Sequence, residues 1–287
     1  MKHKFGGVWT RKKLIVLEQY LHAYSTALKR QPFQIHYVDA FAGTGFHSTV
    51  VEGGQQMLIP EEDFKGSVTT ALEIEPGFDQ YHFNDLDPNH FSELRKIREK
   101  FSDKHIELYQ QDANEFIPEY CQRLGNARSV LFLDPYSTQL DWATLSYVAA
   151  TGKVDLWMLF PISVILRMTP RDSDCVRPEW KSTLDRLLGT SDWESSLYKE
   201  DTSPLTPDLF DSLSNEQNEF RLNTKELENW VTSRLKEIFP YVAKPLMLKN
   251  NGRPLFLFYF AVSNENETAW GLASRIVTSI QQNFTGG

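Results

Sequence analysis

The chemistry-bearing residues fall in four short stretches, each placing an acid at the close of an expected strand. The first is Tyr37-Val38-Asp39-Ala40-Phe41-Ala42-Gly43-Thr44-Gly45. Its alternate glycines, Gly43 and Gly45, let the backbone approach a ligand that a Cβ would exclude. Asp39 is placed to accept a hydrogen bond from an ammonium or hydroxyl group of that ligand. In Asn84-Asp85-Leu86-Asp87, a carboxylate can take both hydroxyls of a ribose. Gln111-Asp112-Ala113 sets a carboxylate and backbone against an adenine edge, and Phe132-Leu133-Asp134-Pro135-Tyr136 joins an acid to an aromatic ring. Alone, each acid reads equally well as a solvated loop carboxylate or a helix cap, and Asp87 before Pro88-Asn89 reads best as a cap. Four in succession point to a nucleotide-type ligand.

Hydrophobic periodicity supplies the elements that must position these acids. A helix is expected over 10–29, with Leu14, Leu17, Leu21 and Leu28 in step and Thr10 as N-cap. Strands are expected over 35–39, 80–85, 106–111, 129–133 and 154–160, alternating with helices over 67–75, 89–101, 115–124 and 142–151. An irregular insertion, 50–65, carries Gly53-Gly54 and Pro60. The alternation breaks over 162–223, which holds Pro170, Pro178, Pro204, Pro207 and one clear helix near 179–188. This segment is expected to be an inserted helical subdomain or lid between core segments 1–161 and 224–287. The second core segment reads as a helix over 224–239 capped by Thr224, strands over 244–249 and 254–262, and a helix over 268–281. Asn250-Asn251-Gly252-Arg253 between the strands is a hairpin signal. The fold class is α/β and Rossmann-like, a mostly parallel sheet with an antiparallel closing strand. Ligands of such sheets sit at the carboxyl ends of the strands, where the four acids fall.

The 287 residues carry 30 basic and 38 acidic side chains, a net charge of −8. That balance argues against a surface coated for gripping phosphates, but leaves room for a local basic groove. Cys121 and Cys175 have no partner motif, so neither a disulfide framework nor a zinc site is expected. No signal peptide or membrane span is read, and a soluble cytoplasmic chain is expected. Nucleophile elbow, P-loop, metalloprotease and deaminase signatures are absent. His36 and His82 read as core histidines. His47, just past the glycine loop, is the histidine to watch. Arg95-Lys96, Arg98 and Lys100 alternate with Glu93 and Glu99 and read as a solvated face. Arg167 and Arg171, beyond the fifth strand, are placed to meet a substrate phosphate, and Trp180 and Trp193 either stack on bases or pack the subdomain.

Asp39 to Gly45 resembles the cofactor loop of class I S-adenosylmethionine-dependent methyltransferases. The chain as a whole resembles the three-Cys-motif partner protein family, TcmP. That resemblance is carried by Trp9-Thr10, Lys13-Leu14 and Tyr20, the Asp39 loop, Gly66-Ser67, Phe83-Asn84-Asp85, Leu133-Asp134-Pro135-Tyr136 and the closing strand from Leu255 to Val262. It implies that Gly43 and Gly45 face the methionine part of S-adenosyl-L-methionine, that Asp39 meets its ammonium, and that Phe41 belongs to the cofactor set. Asp85 would take the ribose and Asp112 with Ala113 the adenine, and the resemblance also brings Lys13 into the cofactor set. Asp134, Pro135 and Tyr136 are similar to the catalytic motif with which amino-methyltransferases hold a base. Two departures stand out. Only one proline precedes the aromatic, and 46 residues separate Asp39 from Asp85, against about 20 in a simple βαβ nucleotide unit.

The resulting expectation is methyl transfer to an amine of a nucleic-acid base. The alternatives are a protein or small-molecule acceptor, or a cofactor-binding accessory partner of a three-cysteine-motif protein. A nicotinamide dehydrogenase fits poorly, because Gly43-Thr44-Gly45-Phe46-His47-Ser48 lacks the third small residue.

Overall fold

A computed structural model describes residues 8–44, 65–200 and 219–285. Gly45, His47 and the 50–64 stretch of the first insertion lie outside the described residues.

Five parallel strands form the body of the sheet: β1 (Ile35–Asp39), β2 (Gln80–Asn84), β3 (Ile106–Tyr109), β4 (Arg128–Leu133) and β5 (Val154–Phe160). The closing strand β10 (Arg253–Val262) pairs antiparallel with β5, Leu257 opposite Phe160. Beyond it lie β8 (Tyr241–Val242) and β9 (Leu246–Asn250), both paired antiparallel with β10. The order is β3-β2-β1-β4-β5-β10-β8. The antiparallel strand is therefore one in from the edge. Pro245 sits in the break between β8 and β9, where a residue without an N–H cannot continue the ladder. The order reverses between β1 and β4, which opens a crevice at their carboxyl ends. This is the Rossmann-like class that the resemblance implies.

Side chains alternate across the sheet with period two. Val38, Leu131 and Leu156 face one core, together with α4 (Ala113–Arg123), α5 (Trp142–Ala150) and α9 (Thr224–Lys236). Tyr37, Val130 and Trp157 face the other, with α1 (Val8–Leu28), α2 (Ser67–Leu72), α3 (Pro88–Lys100) and α10 (Glu267–Thr285).

Several expected boundaries shift for identifiable reasons. Thr10 is 3% exposed inside α1, which starts at Val8, so it does not cap that helix. At α9 the cap is Asn223, whose side chain accepts from Lys225 and Glu226 N–H groups while Glu226 bonds back. Asn251 and Gly252 both have positive φ, 49° and 77°, the backbone of a tight hairpin between β9 and β10. Among the described residues, the inserted segment holds three α-helices where one is clear in the sequence: α6 (Ile162–Met168), α7 (Pro178–Leu188) and α8 (Trp193–Leu197). A small antiparallel pair follows, β6 (Tyr198–Glu200) with β7 (Glu219–Arg221). Leu184, Leu188 and Trp193 join the core of the α4–α5 face. Among the described residues, no helix is long and apolar enough to cross a membrane.

Candidate active site

The carboxyl ends of β1, β2 and β3 are drawn together by one buried amide. Asn84, 1% exposed, donates through Nδ2 to the carbonyls of Ala40 and Gln111, each at 3.1 Å. Its Oδ1 accepts from the Gln111 N–H at 3.1 Å, and its own carbonyl accepts from Ala42 N–H at 3.0 Å. A buried amide must satisfy both of its ends, so Asn84 holds the β1, β2 and β3 ends in one arrangement.

On this platform the chain turns at Gly43, with φ of +61°. A Cβ there would meet no atom of the described structure within 4 Å. The backbone angle, rather than crowding by the protein, requires glycine at this point. The Gly43 N–H donates to Asp85 Oδ2 at 2.8 Å. Asp85 Oδ1 accepts from the Asp87 N–H at 2.9 Å and from His90 Nδ1 at 3.1 Å. Three of roughly four acceptor positions of the carboxylate are thus occupied by protein. Asp85 can take one further hydroxyl strongly, on Oδ2, rather than two equally. Asp87 caps α3 as expected, accepting from the Asn89 and His90 N–H groups.

A cavity of about 500 Å³ opens at these strand ends, with Phe41, Gly43, Asp85, Asp112, Ala113, Asp134 and Tyr136 in its lining. Asp112 caps α4 through the Asn114 N–H at 2.7 Å, leaving its second oxygen without a hydrogen bond among the described residues. Asn114 ties α4 to the next loop: its Nδ2 donates to the Gln139 carbonyl, and its Oδ1 accepts from Asp141 N–H and Thr144 Oγ1. In that loop Tyr136 is 84% exposed, with its N–H on Gln139 Oε1 at 3.1 Å, and Ser137 takes a φ of +63°. The ring therefore stands at the cavity mouth. Arg186 of α7 bonds the Thr138 carbonyl and ion-pairs with Asp141, gripping this loop from the inserted segment.

Lys13 reaches the site from α1. It is 2% exposed and ion-pairs with Asp134 Oδ2. Its ammonium also lies 5.3 Å from the Trp9 ring centroid. Lys13 is thus a partner of Asp134, and it is not part of the cavity lining.

Asp39 also lies behind the cavity wall rather than in it. It is fully buried, accepting from Ser67 Oγ at 2.6 Å and Phe41 N–H at 3.2 Å. Its carboxyl therefore orders the loop and the start of α2. Burial pushes the Asp39 carboxyl up to about 7; Asp134's charge adds to this, while the Ser67 and Phe41 bonds and Lys13 oppose it. A carboxyl held above its unfolded value near 3.8 stabilises the fold fully only below that value. The contribution is lost as pH rises from about 4 to about 7. Asp39→Asn is therefore expected to gain about 3–4 kcal/mol on the wild type between pH 4 and pH 8, at 1.36 kcal/mol per unit. Urea unfolding of both proteins across that range measures it, and a pH-independent difference would sink the assignment.

Other expected site residues stand apart. Arg167 and Arg171 are exposed and outside the cavity lining. The carbonyls of Leu166 and Thr169 at the end of α6 are instead taken by Arg221. His36 and His82 are buried in the sheet, facing the Tyr120 and Tyr109 hydroxyls at 3.1 and 3.2 Å, and burial holds His82 down at about 4. Trp193 is a core residue donating to Asp185, and Trp180 stacks beneath Arg177. Among the described residues, no group of three or more His, Cys, Asp or Glu is arranged to hold a metal ion.

The sequence matches no family model and no curated relative. Solved structures that resemble the chain include protein LPL1258 of Legionella pneumophila, assigned to family DUF519. It is 11% identical, with 95% of this chain and 91% of that one covered and a TM-score of 0.49. An S-adenosylmethionine-dependent methyltransferase of Clostridium acetobutylicum is 11% identical, covering 87% and 92%, with a TM-score of 0.36. The plantazolicin methyltransferase BpumL, solved in complex with SAH, is 11% identical, covering 89% and 85%, with a TM-score of 0.34.

Proposed function

We propose that the cavity binds S-adenosylmethionine and that the chain transfers its methyl group to an amine, favouring an amine of a nucleic-acid base. The observation that carries this reading is one cavity lined at once by Gly43, Asp85, Asp112 and Asp134, the ends of four successive strands. The residues present suit the cofactor. The space over Gly43 is open, Asp85 Oδ2 has room for a ribose hydroxyl, and the free oxygen of Asp112 can accept an adenine amine. Bound there, the cofactor would supply a methyl already activated by its sulfonium, leaving the protein mainly to align the acceptor.

That alignment falls to Asp134 and Tyr136. Lys13 fixes one oxygen of Asp134 and leaves Oδ1 without a hydrogen bond among the described residues. An N–H of the acceptor donates to Oδ1, which points the nitrogen lone pair into the cavity. The exposed Tyr136 ring offers a stacking face worth roughly 1–3 kcal/mol per base. Asp134 is 25% exposed, so the proton lost by the methylated amine has a route to solvent.

The same ion pair supports a second reading, in which Asp134 is occupied by Lys13 and the chain acts as a cofactor-binding partner of a three-cysteine-motif protein. Calorimetric titration separates these from the dehydrogenase reading: S-adenosylmethionine should bind in the micromolar range and NAD should not. Absence of S-adenosylmethionine binding ends both cofactor readings. Transfer of labelled methyl to RNA, DNA or free nucleosides then distinguishes enzyme from accessory partner. Arg186→Ala frees the Tyr136 loop, and is expected to raise the acceptor KM about tenfold with cofactor affinity unchanged. An unchanged KM would mean that the loop holds itself.

A further inference from the structure

A second cavity, of about 260 Å³, lies at the opposite ends of the strands, between α1, α10 and the amino ends of β4 and β5. Its walls are aromatic and aliphatic: Tyr20, Tyr24, Leu28 and Phe33 on one side, Ala273 and Ile276 on the other. Three charged groups break this apolar lining. Asp155 Oδ2 of β5 accepts from the Tyr20 hydroxyl, which leaves Oδ1 without a hydrogen bond among the described residues. Burial pushes its carboxyl up to about 6, with the Tyr20 bond and Arg128 opposing.

The two cations of the lining are only partly engaged. Arg128 lies 5.1 Å from the Phe33 ring centroid and donates through Nη1 to the carbonyls of Asn126 and Ala127. Its Nε and Nη2, the edge that forks onto an anion, make no hydrogen bond among the described residues. Lys153 bonds the Gly125 carbonyl alone. An acceptor-bearing acid and two cations with spare donors, set in aromatic walls, suit a molecule polar at both ends and flat between. The volume is below the roughly 300–1,000 Å³ of drug-sized sites, which sets the occupant at one substituted ring.

We infer that this cavity is a second binding site, for a small aromatic molecule with a hydroxyl or amine donor for Asp155 and a carboxylate or phosphate for Arg128 and Lys153. The site is independent of the strand-end cavity and of the reaction proposed there.

The probes are 4-hydroxyphenylacetate and 4-hydroxybenzylphosphonate, which test carboxylate against phosphate-type anions by saturation-transfer NMR and calorimetry on the full chain. At least one should bind with Kd below about 1 mM. Phenylacetate, lacking the donor, and tyramine, lacking the anion, should each bind at least tenfold more weakly. Arg128→Gln should weaken the bound probe at least tenfold, and Ala273→Phe, which fills the cavity, should abolish binding while circular dichroism reports a folded chain. If Ala273→Phe does not fold, Arg128→Gln decides. The inference is overturned if neither anionic probe binds, if the truncated probes bind as well as the full ones, or if binding survives these substitutions.

Discussion

Asp134→Ala is expected to abolish methyl transfer and to destabilise the fold by about 3–5 kcal/mol, the usual cost of stranding a buried partner charge. The partner is Lys13, 2% exposed and paired with Asp134 across 121 positions of chain. Loss of activity in this variant alone would therefore be ambiguous. The double variant Lys13→Met, Asp134→Ala removes both charges and should recover most of the stability without recovering activity. Urea unfolding and methyl transfer at saturating cofactor, measured on both single variants and the double, complete the cycle. Transfer that persists in the double variant removes Asp134 from the acceptor site. An additive stability cycle would mean that the pair does not act as a unit.

For Asp85→Ala the expected loss is in S-adenosylmethionine affinity, at least a hundredfold, or about 3 kcal/mol. The substitution removes a ligand acceptor, and it also strips the acceptor from the Gly43 N–H, the Asp87 N–H and His90. The Gly43 turn loses its anchor. Asp112→Ala removes only an exposed cap, worth about 1 kcal/mol to α4, and should cost the cofactor about tenfold. Calorimetry on the two variants gives the ratio. If Asp112→Ala is the more damaging, Asp85 is not the organising carboxylate.

Much of this arrangement is legible in the sequence. The run 154–160, apolar but for Asp155, reads as a buried strand and forms one, because a strand covered on both faces shows no regular polar alternation. Asn251-Gly252 reads as a hairpin because two successive positive φ angles suit few other pairs. The short helix α6 is hidden for the opposite reason: seven residues after Pro161 are too few to establish a period. At the site, the acids are visible and their partners are not. Asn84 sits in the quoted motif beside Asp85, yet its signal is subtler: an amide at the end of a buried strand must bond something. Lys13 carries a similar signal, a lysine in helical step with Leu17, Tyr20 and Tyr24 on the buried face of α1. Neither signal names the partner, because contacts 27 and 121 positions apart are made by the fold. Asp39 shows the converse limit. Its place at the end of β1 suggests a ligand contact, whereas its bonds to Ser67 and Phe41 turn the carboxyl inward.

The rims of the sheet constrain how this protein can meet others. At one rim stands β3, four residues long; at the other, β8 is two residues long and is parted from β9 by a stretch containing Pro245. Among the described residues, a foreign chain seeking to lengthen this sheet finds only short or interrupted rows of amides, and such rims disfavour stacking edge to edge. Rims this short shift the weight of any association onto side chains displayed by helices and loops, surface chemistry that point substitution can rewrite one residue at a time.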